Sequence, residues 1–446
     1  MMRDPYVISE DTIKEPPSTV WQRFKFLGPG FILSASIVGS GELIATTVLG
    51  AKAGFVALWI IIISCLAKVT VQLEFGKHAV LTGERCMQAF SKVGARRWAV
   101  WTLFALIGLK VVQLGGMLGG TVVILNMLFP GIPITIWALL TAAAVGALIY
   151  NGRYGIIEKF SLAMIASFTL LTLASLFSLQ FTTYGFSWWS VIEQQRLSLP
   201  SDIVPYAIGA FGITGVASDE IIAYNYWCLE KGYAAYTGPR TDTPQWRARA
   251  EGWIKVMFLD ATVAMVIYSI VTVAFYLLGA AVLHGQAAVP HGNEVIETLA
   301  LIYTQSLGPG IKTAYLVGGF FVLFSSLFAT LGAWTRIFPD IFGELGWLSF
   351  NDLKARRKVI VYLAWIFPAL WTIAYLFIEL PVLMVLFGGL IGSLMLFIVM
   401  IGAVHFKYWR PQLLPSGQVY TVAFWISIAS IFVVGVYGLR EAFNII

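Results

Sequence analysis

Three carboxylates, Glu42, Asp219 and Glu220, stand in the middle of apolar segments, and the residues around them recur. Val38-Gly39-Ser40-Gly41-Glu42-Leu43-Ile44-Ala45 is answered 178 residues later by Val216-Ala217-Ser218-Asp219-Glu220-Ile221-Ile222-Ala223. Aligning residues 37–47 with 215–225 gives five identities in eleven positions: Val, Ser, Glu, Ile and Ala. Carboxylates beside hydroxyls and unwound backbone carbonyls form an oxygen-donor set suited to a cation. A second reading needs no ligand. Ser40 and Ser218 would cap the second half of an interrupted helix, with Glu42 and Glu220 in its first turn, favoured by the positive end of the dipole. An acid near the bilayer centre costs about 2.5–3.5 kcal/mol, whereas a cap contributes about 1 kcal/mol. Capping alone does not offset the acids, so a functional role is favoured, and the two readings are compatible.

These residues need elements to hold them at depth. The 446-residue chain is 59% hydrophobic and 12% charged, with a mean hydropathy of +0.81. Soluble domains are about 25% charged, so the composition is that of an all-α polytopic membrane protein. Long apolar runs argue against an outer-membrane barrel. Eleven spans are expected near 27–51, 54–76, 97–128, 133–150, 156–179, 202–229, 253–283, 311–337, 358–378, 381–406 and 418–438, with a short extra-membrane helix at 293–306. The first and sixth are interrupted at the carboxylates. Ten residues separate Pro29 from Gly39, a rise of about 15 Å, half of an apolar core about 30 Å thick. Both breaks therefore fall near the midplane, where irregular backbone must be buried in protein or line a cavity.

With the N-terminus inside, 23 of the 29 Lys and Arg residues fall in inside loops and four outside, leaving Lys68 and Lys110 within spans. That bias sets a cytoplasmic N-terminus and, after eleven spans, an extracytoplasmic C-terminus. Spans one to five and six to ten are equal in number. Because five is odd, the second set enters from the opposite side, which makes an inverted repeat. The expected divisions are a cytoplasmic tail at 1–24, a first repeat at 25–180, a second at 181–408, and span eleven with the C-terminus at 409–446. Residues 1–20 are polar and do not read as a cleavable signal. Residues 232–250, with Gly238-Pro239 and Pro244, read as a flexible connector.

The net charge of +6 does not point to nucleic acid, because the basic residues are spread through short loops as topology determinants. Cys65, Cys86 and Cys228 form no Cys-x-x-Cys pair and no disulfide framework. His78, His284, His291 and His405 lie at or beyond span ends, and no catalytic spacing is present, so the chain is not expected to be an enzyme. Lys110, mid-span, is a possible partner for one of the acids. Asp260, near a cytoplasmic end, suits a structural or gating role.

The chain resembles the natural resistance-associated macrophage protein (NRAMP) family of divalent metal transporters. The likeness rests on Gly28-Pro29-Gly30-Phe31 with Ser34 ahead of the break, Gln72 through Thr82-Gly83, Asn126-Met127-Leu128-Phe129 with Ile132-Pro133, and Gly155 with Glu158-Lys159. It implies the leucine-transporter-like fold, a five-plus-five inverted repeat with one added helix. It also exposes departures. Gly39 stands where the family carries a metal-binding Asp, Ser40 where it carries Pro, and Glu42 where it carries Asn. The positions matching the family's Ala-x-x-Met-Pro-His are Thr214, Ala217, Ser218 and Asp219. Leu114 and Met117 replace the third-helix acids, and the tenth-helix Gln falls near Gly388.

The expected site thus comprises Gly39, Ser40, Glu42, Thr214, Ala217, Ser218, Asp219 and Glu220, with Glu42, Thr214, Asp219 and Glu220 as direct metal ligands. Oxygen donors without the helix-six thioether favour a hard ion such as Mg²⁺, or Mn²⁺ at the border, over soft transition metals. The expected function is alternating-access transport of a divalent cation, which is substrate rather than cofactor, by a monomer in a bacterial inner membrane. The alternative is a small amine-bearing organic substrate on the same fold, or a non-transporting relative.

Overall fold

The computed structural model describes residues 4–39, 41–150, 154–241, 243–285, 295–408 and 417–445. Among them, all regular structure is helical. The long helices are α1 (Pro29–Ile37), α2 (Thr47–Ala53), α3 (Leu58–Thr82), α4 (Trp98–Leu109), α5 (Val111–Leu128), α6 (Ile134–Tyr150), α7 (Tyr154–Leu179), α8 (Val204–Ile213), α9 (Ser218–Lys231), α10 (Pro244–Val282), α11 (Val295–Leu307), α12 (Lys312–Leu345), α13 (Leu353–Ile378), α14 (Pro381–Tyr408) and α15 (Gln418–Ile445). Helix occupies every window read from hydropathy. Seven helices among the described residues are long and apolar enough to cross a membrane. Large apolar side chains such as Leu170, Phe177, Phe377 and Ile426 face outward, as a hydrocarbon solvent requires.

Three elements differ from the sequence reading. The third window divides at Lys110, the junction of α4 and α5. The supposed connector at 232–250 is largely helical: Tyr233–Thr237 forms a short helix, and α10 begins at Pro244. Its start is set by Thr243, whose hydroxyl accepts from Trp246 N at 3.3 Å, with proline at the first helical position, where no amide donor is needed. Ser218, expected as a cap, is instead the first residue of α9, and Ala217 is the cap.

The interrupted helices pack at the centre. α8 lies on α14, and α2 and α3 lie on α10. The α8–α14 crossing is close enough that a Cβ on Gly212 would strike Gly389 O, so small residues bring the two backbones together. The N-terminal end of α1 is capped from another helix: the Asp260 carboxylate on α10 accepts from Gly28 N at 2.8 Å and from Gly30 N.

Candidate functional site: two helix breaks and a central cavity

The first break follows Ile37. Gly41–Thr46 then winds as a π-helical turn, with Thr46 and Thr47 hydroxyls donating to Gly41 O (3.0 Å) and Glu42 O (3.3 Å). Such turns are rare and concentrate at functional sites. Glu42 is fully buried, and its carboxylate crosses to the second break. Oε1 accepts from Gly215 N at 3.1 Å and from the Thr272 hydroxyl of α10 at 3.1 Å. Oε2 is buried and has no hydrogen-bond partner among the described residues. Ser40 lies outside the described residues.

The second break runs from Thr214 to Ala217. Gly215 adopts φ +61°, which glycine takes without Cβ strain. The end of α8 leaves carbonyls unpaired within the helix, and Lys68 meets them. Its ammonium donates to Phe211 O and, at 2.8 Å, to Thr214 O. The Ser64 hydroxyl lies 3.1 Å from each of these oxygens and accepts from Thr214 Oγ1 at 2.9 Å. Lys68 is completely buried, and no carboxylate pairs with it among the described residues. Both polar groups of Thr214 are thus engaged by α3.

Beyond the break, Glu220 reaches back so that Oε2 accepts from Ala217 N at 2.8 Å. Asp219 is committed elsewhere: Oδ1 pairs with the Lys110 ammonium, and Oδ2 accepts from Trp334 Nε1 at 3.2 Å. Ser218 Oγ is buried without a hydrogen-bond partner among the described residues. Glu42, Asp219 and Glu220 do not converge on one point, and no group of three His, Cys, Asp or Glu side chains among the described residues is placed to hold a metal ion.

What the breaks enclose is a central cavity of about 30 Å³, bounded by Gly41, Ala217, Asp219 and Glu220 and by Lys110, Gln113 and Met117 from the third window. That is room for one water or one small ion. Ser36, Asp219, Glu220 and Thr330 also line a smaller cavity of about 10 Å³. Its far wall, Ile32 and Trp227, is shared with a vestibule of about 590 Å³. The vestibule lies on the face that carries the N-terminal segment. Tyr6 and Glu230 form part of its rim, with the Tyr6 hydroxyl 2.7 Å from Glu230 Oε1 and Arg336 gripping both Glu230 oxygens at 2.7 and 2.8 Å. Neighbouring spaces with shared walls therefore lie in succession between that face and the breaks.

The family model of natural resistance-associated macrophage protein-like proteins matches residues 30–441. The chain belongs to this family. Nramp relatives include a divalent metal cation transporter MntH of Brucella suis biovar 1, 24% identical over 78% of this chain and 73% of its own length. An nramp1 homolog of Dictyostelium discoideum is 31% identical over 36% of this chain and 32% of its own. A crystal structure of a mutant Eremococcus coleocola manganese transporter superposes with a TM-score of 0.71 at 15% identity, covering 96% of this chain and 90% of that one. A nucleobase-cation-symport-1 family transporter gives 0.57 at 13% identity, over 93% and 92%. These likenesses establish an integral membrane protein with the leucine-transporter-like fold.

Two glycines where the resemblance implied larger side chains are tightly packed. A Cβ on Gly39 would collide with the Ser326 hydroxyl of α12, so an Asp has no room there. A side chain at Gly388 would overlap Gln113, whose amide fills that space. Gln113, Met117, Lys68 and Thr272 were not singled out as site residues from the sequence. A signal existed for the first two: Lys110, Gln113 and Met117 fall at i, i+3 and i+7, one face of a helix.

Proposed function

We propose that this chain carries a divalent metal cation across a bacterial inner membrane by alternating access, with Mg²⁺ and Mn²⁺ favoured over soft transition metals. The carrying observation is the central cavity at two interrupted helices, with Glu220 on its wall. The reading is supported by family membership and by relatives named as divalent metal cation transporters. Around the breaks, three carboxylates (Glu42, Asp219, Glu220) face two ammoniums (Lys68, Lys110), which leaves one formal negative charge and disfavours an anionic cargo. Five side chains on the lining carry oxygen (Ser36, Gln113, Asp219, Glu220 and Thr330), which suits a hard ion, while Met117 adds a single thioether and so favours Mn²⁺ within the pair.

In this reading Glu220 attracts the ion, and Glu42, which does not line the cavity, offers Oε2 as a second acid once the breaks rearrange. Asp219 is held by Lys110, and Thr214 by Lys68 and Ser64, until the breaks rearrange. Gly39, Ser40, Ala217 and Ser218 contribute backbone or hydroxyl oxygens. The repeats at 25–180 and 181–408 rock about this point, with eleven crossings, the N-terminus cytoplasmic and the C-terminus outside, in a monomer. A cavity of about 30 Å³ does not admit an amino-acid-sized amine, which ranks the organic-substrate alternative lower. Flux of Mn²⁺ and Mg²⁺ into proteoliposomes is the test. Uptake of at least one ion that Glu220→Gln reduces at least tenfold is the expected result; wild-type protein that moves neither ion overturns the reading.

A further inference from the structure

We propose that the Gln113 carboxamide is an oxygen ligand for the transported cation, supplied by α5 from outside both helix breaks. The inference rests on the cation-transport reading above. Gln113 is 7% exposed, and its Oε1 is buried with no hydrogen-bond partner among the described residues. A buried acceptor without a partner is uncommon in native structures and calls for an explanation such as a bound water or ion. This atom belongs to a side chain on the wall of the central cavity, which it shares with the Glu220 carboxylate and Ser36.

A second observation is independent of the first. On the facing helix α14, a Cβ added to Gly388 would lie 2.6 Å from Gln113 Oε1 and 2.6 Å from its Cγ. Glycine at 388 therefore leaves the carboxamide a berth that even alanine would close. Among the described residues Oε1 accepts no hydrogen bond, which leaves it able to accept one from, or coordinate, a ligand.

The electrostatics select the class of ligand. Lys110 is spent on Asp219, so the cavity wall carries one carboxylate without an ammonium partner, Glu220, and one neutral amide, Gln113. One full negative charge with neutral oxygens suits a partly hydrated divalent cation. An anion would face Glu220 directly, and an apolar ligand would leave the amide oxygen unmet.

The experiment measures equilibrium binding of Mn²⁺ and Mg²⁺ to the full-length protein in nanodiscs, beside Gln113→Leu, Gln113→Glu, Gly388→Ala and Glu220→Gln. The expected result is at least tenfold weaker Mn²⁺ binding for Gln113→Leu and Gly388→Ala, with Gln113→Glu binding at least as tightly as wild type. Size-exclusion profile and Tm confirm folding. If Gln113→Leu does not fold, Gly388→Ala and Gln113→Glu decide the matter. Wild-type affinity in Gln113→Leu or, in its absence, in Gly388→Ala, together with loss in Glu220→Gln, overturns the Gln113 assignment and leaves cation transport standing. No binding of either ion by wild type overturns both.

Discussion

Glu42 Oε1 accepts the amide hydrogen of Gly215 across 3.1 Å, so one carboxylate joins two helix breaks 173 residues apart. The contact fixes the relative placement of the interrupted helices, and Thr272 adds α10 to the junction at 3.1 Å. Glu42→Ala strands a buried amide and is expected to cost about 1–3 kcal/mol, read as a lower Tm in detergent. Glu42→Gln keeps an acceptor for Gly215 and is expected to recover most of that loss. Equal destabilisation by the two substitutions would show that the carboxylate's charge, and not the hydrogen bond, holds the junction.

The Lys110–Asp219 pair is buried on both sides, at 1% and 7% side-chain exposure. Removing one partner leaves an uncompensated charge, which costs about 3–5 kcal/mol in such settings. Asp219→Leu or Lys110→Met alone should therefore unfold at clearly lower temperature, and the two together should regain much of the loss. A double variant no better than the sum of the singles would mean that the pair does not act as a unit.

Lys68 predicts a chemical rescue. In Lys68→Ala the carbonyls of Phe211 and Thr214 keep only the Ser64 hydroxyl. Ammonium or K⁺ ions should raise the Tm of that variant in a saturable manner and leave wild type unaffected. A variant insensitive to both ions would show that the carbonyl cluster collapses or hydrates instead of accepting a cation.

Met117 brings sulfur to a wall whose other polar side chains are Ser36, Lys110, Gln113, Asp219, Glu220 and Thr330. Met117→Leu preserves volume to within a modest change, and it should lower the preference for Cd²⁺ over Mg²⁺ by severalfold while leaving Mg²⁺ flux near wild type. Selectivity unchanged in a transporting variant would place the thioether outside the ion's reach.

Outside the membrane, Glu84 in the turn after α3 is held at about 2, below its ordinary 4.5, first by a hydrogen bond with His78 and then by Lys92. A depressed carboxyl stabilises the fold above its unfolded value and loses that contribution as pH falls through the folded one. The Tm of wild type should therefore approach that of Glu84→Gln as pH drops from about 4.5 toward 2, and exceed it at neutral pH. Parallel curves across that window would contradict the assignment.

Hydropathy and two glycine-bearing repeats were enough to place the helices and both breaks, because long apolar runs and broken helices leave local marks. The π-helical turn at Gly41–Thr46 leaves no such mark, since nothing in Glu-Leu-Ile-Ala distinguishes it from α-helix. The cap of α9 is Ala217 and not Ser218 because Glu220 turns back onto the Ala217 amide, a reach that the spelling Ser-Asp-Glu does not disclose. Lys68 was visible as a charge within a span, but its partners are backbone carbonyls, which every residue has. Gln113 and Gly388 are 275 positions apart, and only packing brings them together.

An ammonium tethered at Lys68 cannot be diluted, chelated or displaced by a competing salt, as a bound ion can. The half-helix end at Phe211 and Thr214 thus has a countercharge whose occupancy does not vary with the concentration of metal ions or salt. Whatever ion the protein carries, this part of its binding region holds a covalently tethered tenant, whose charge answers to protons and not to the supply of cations.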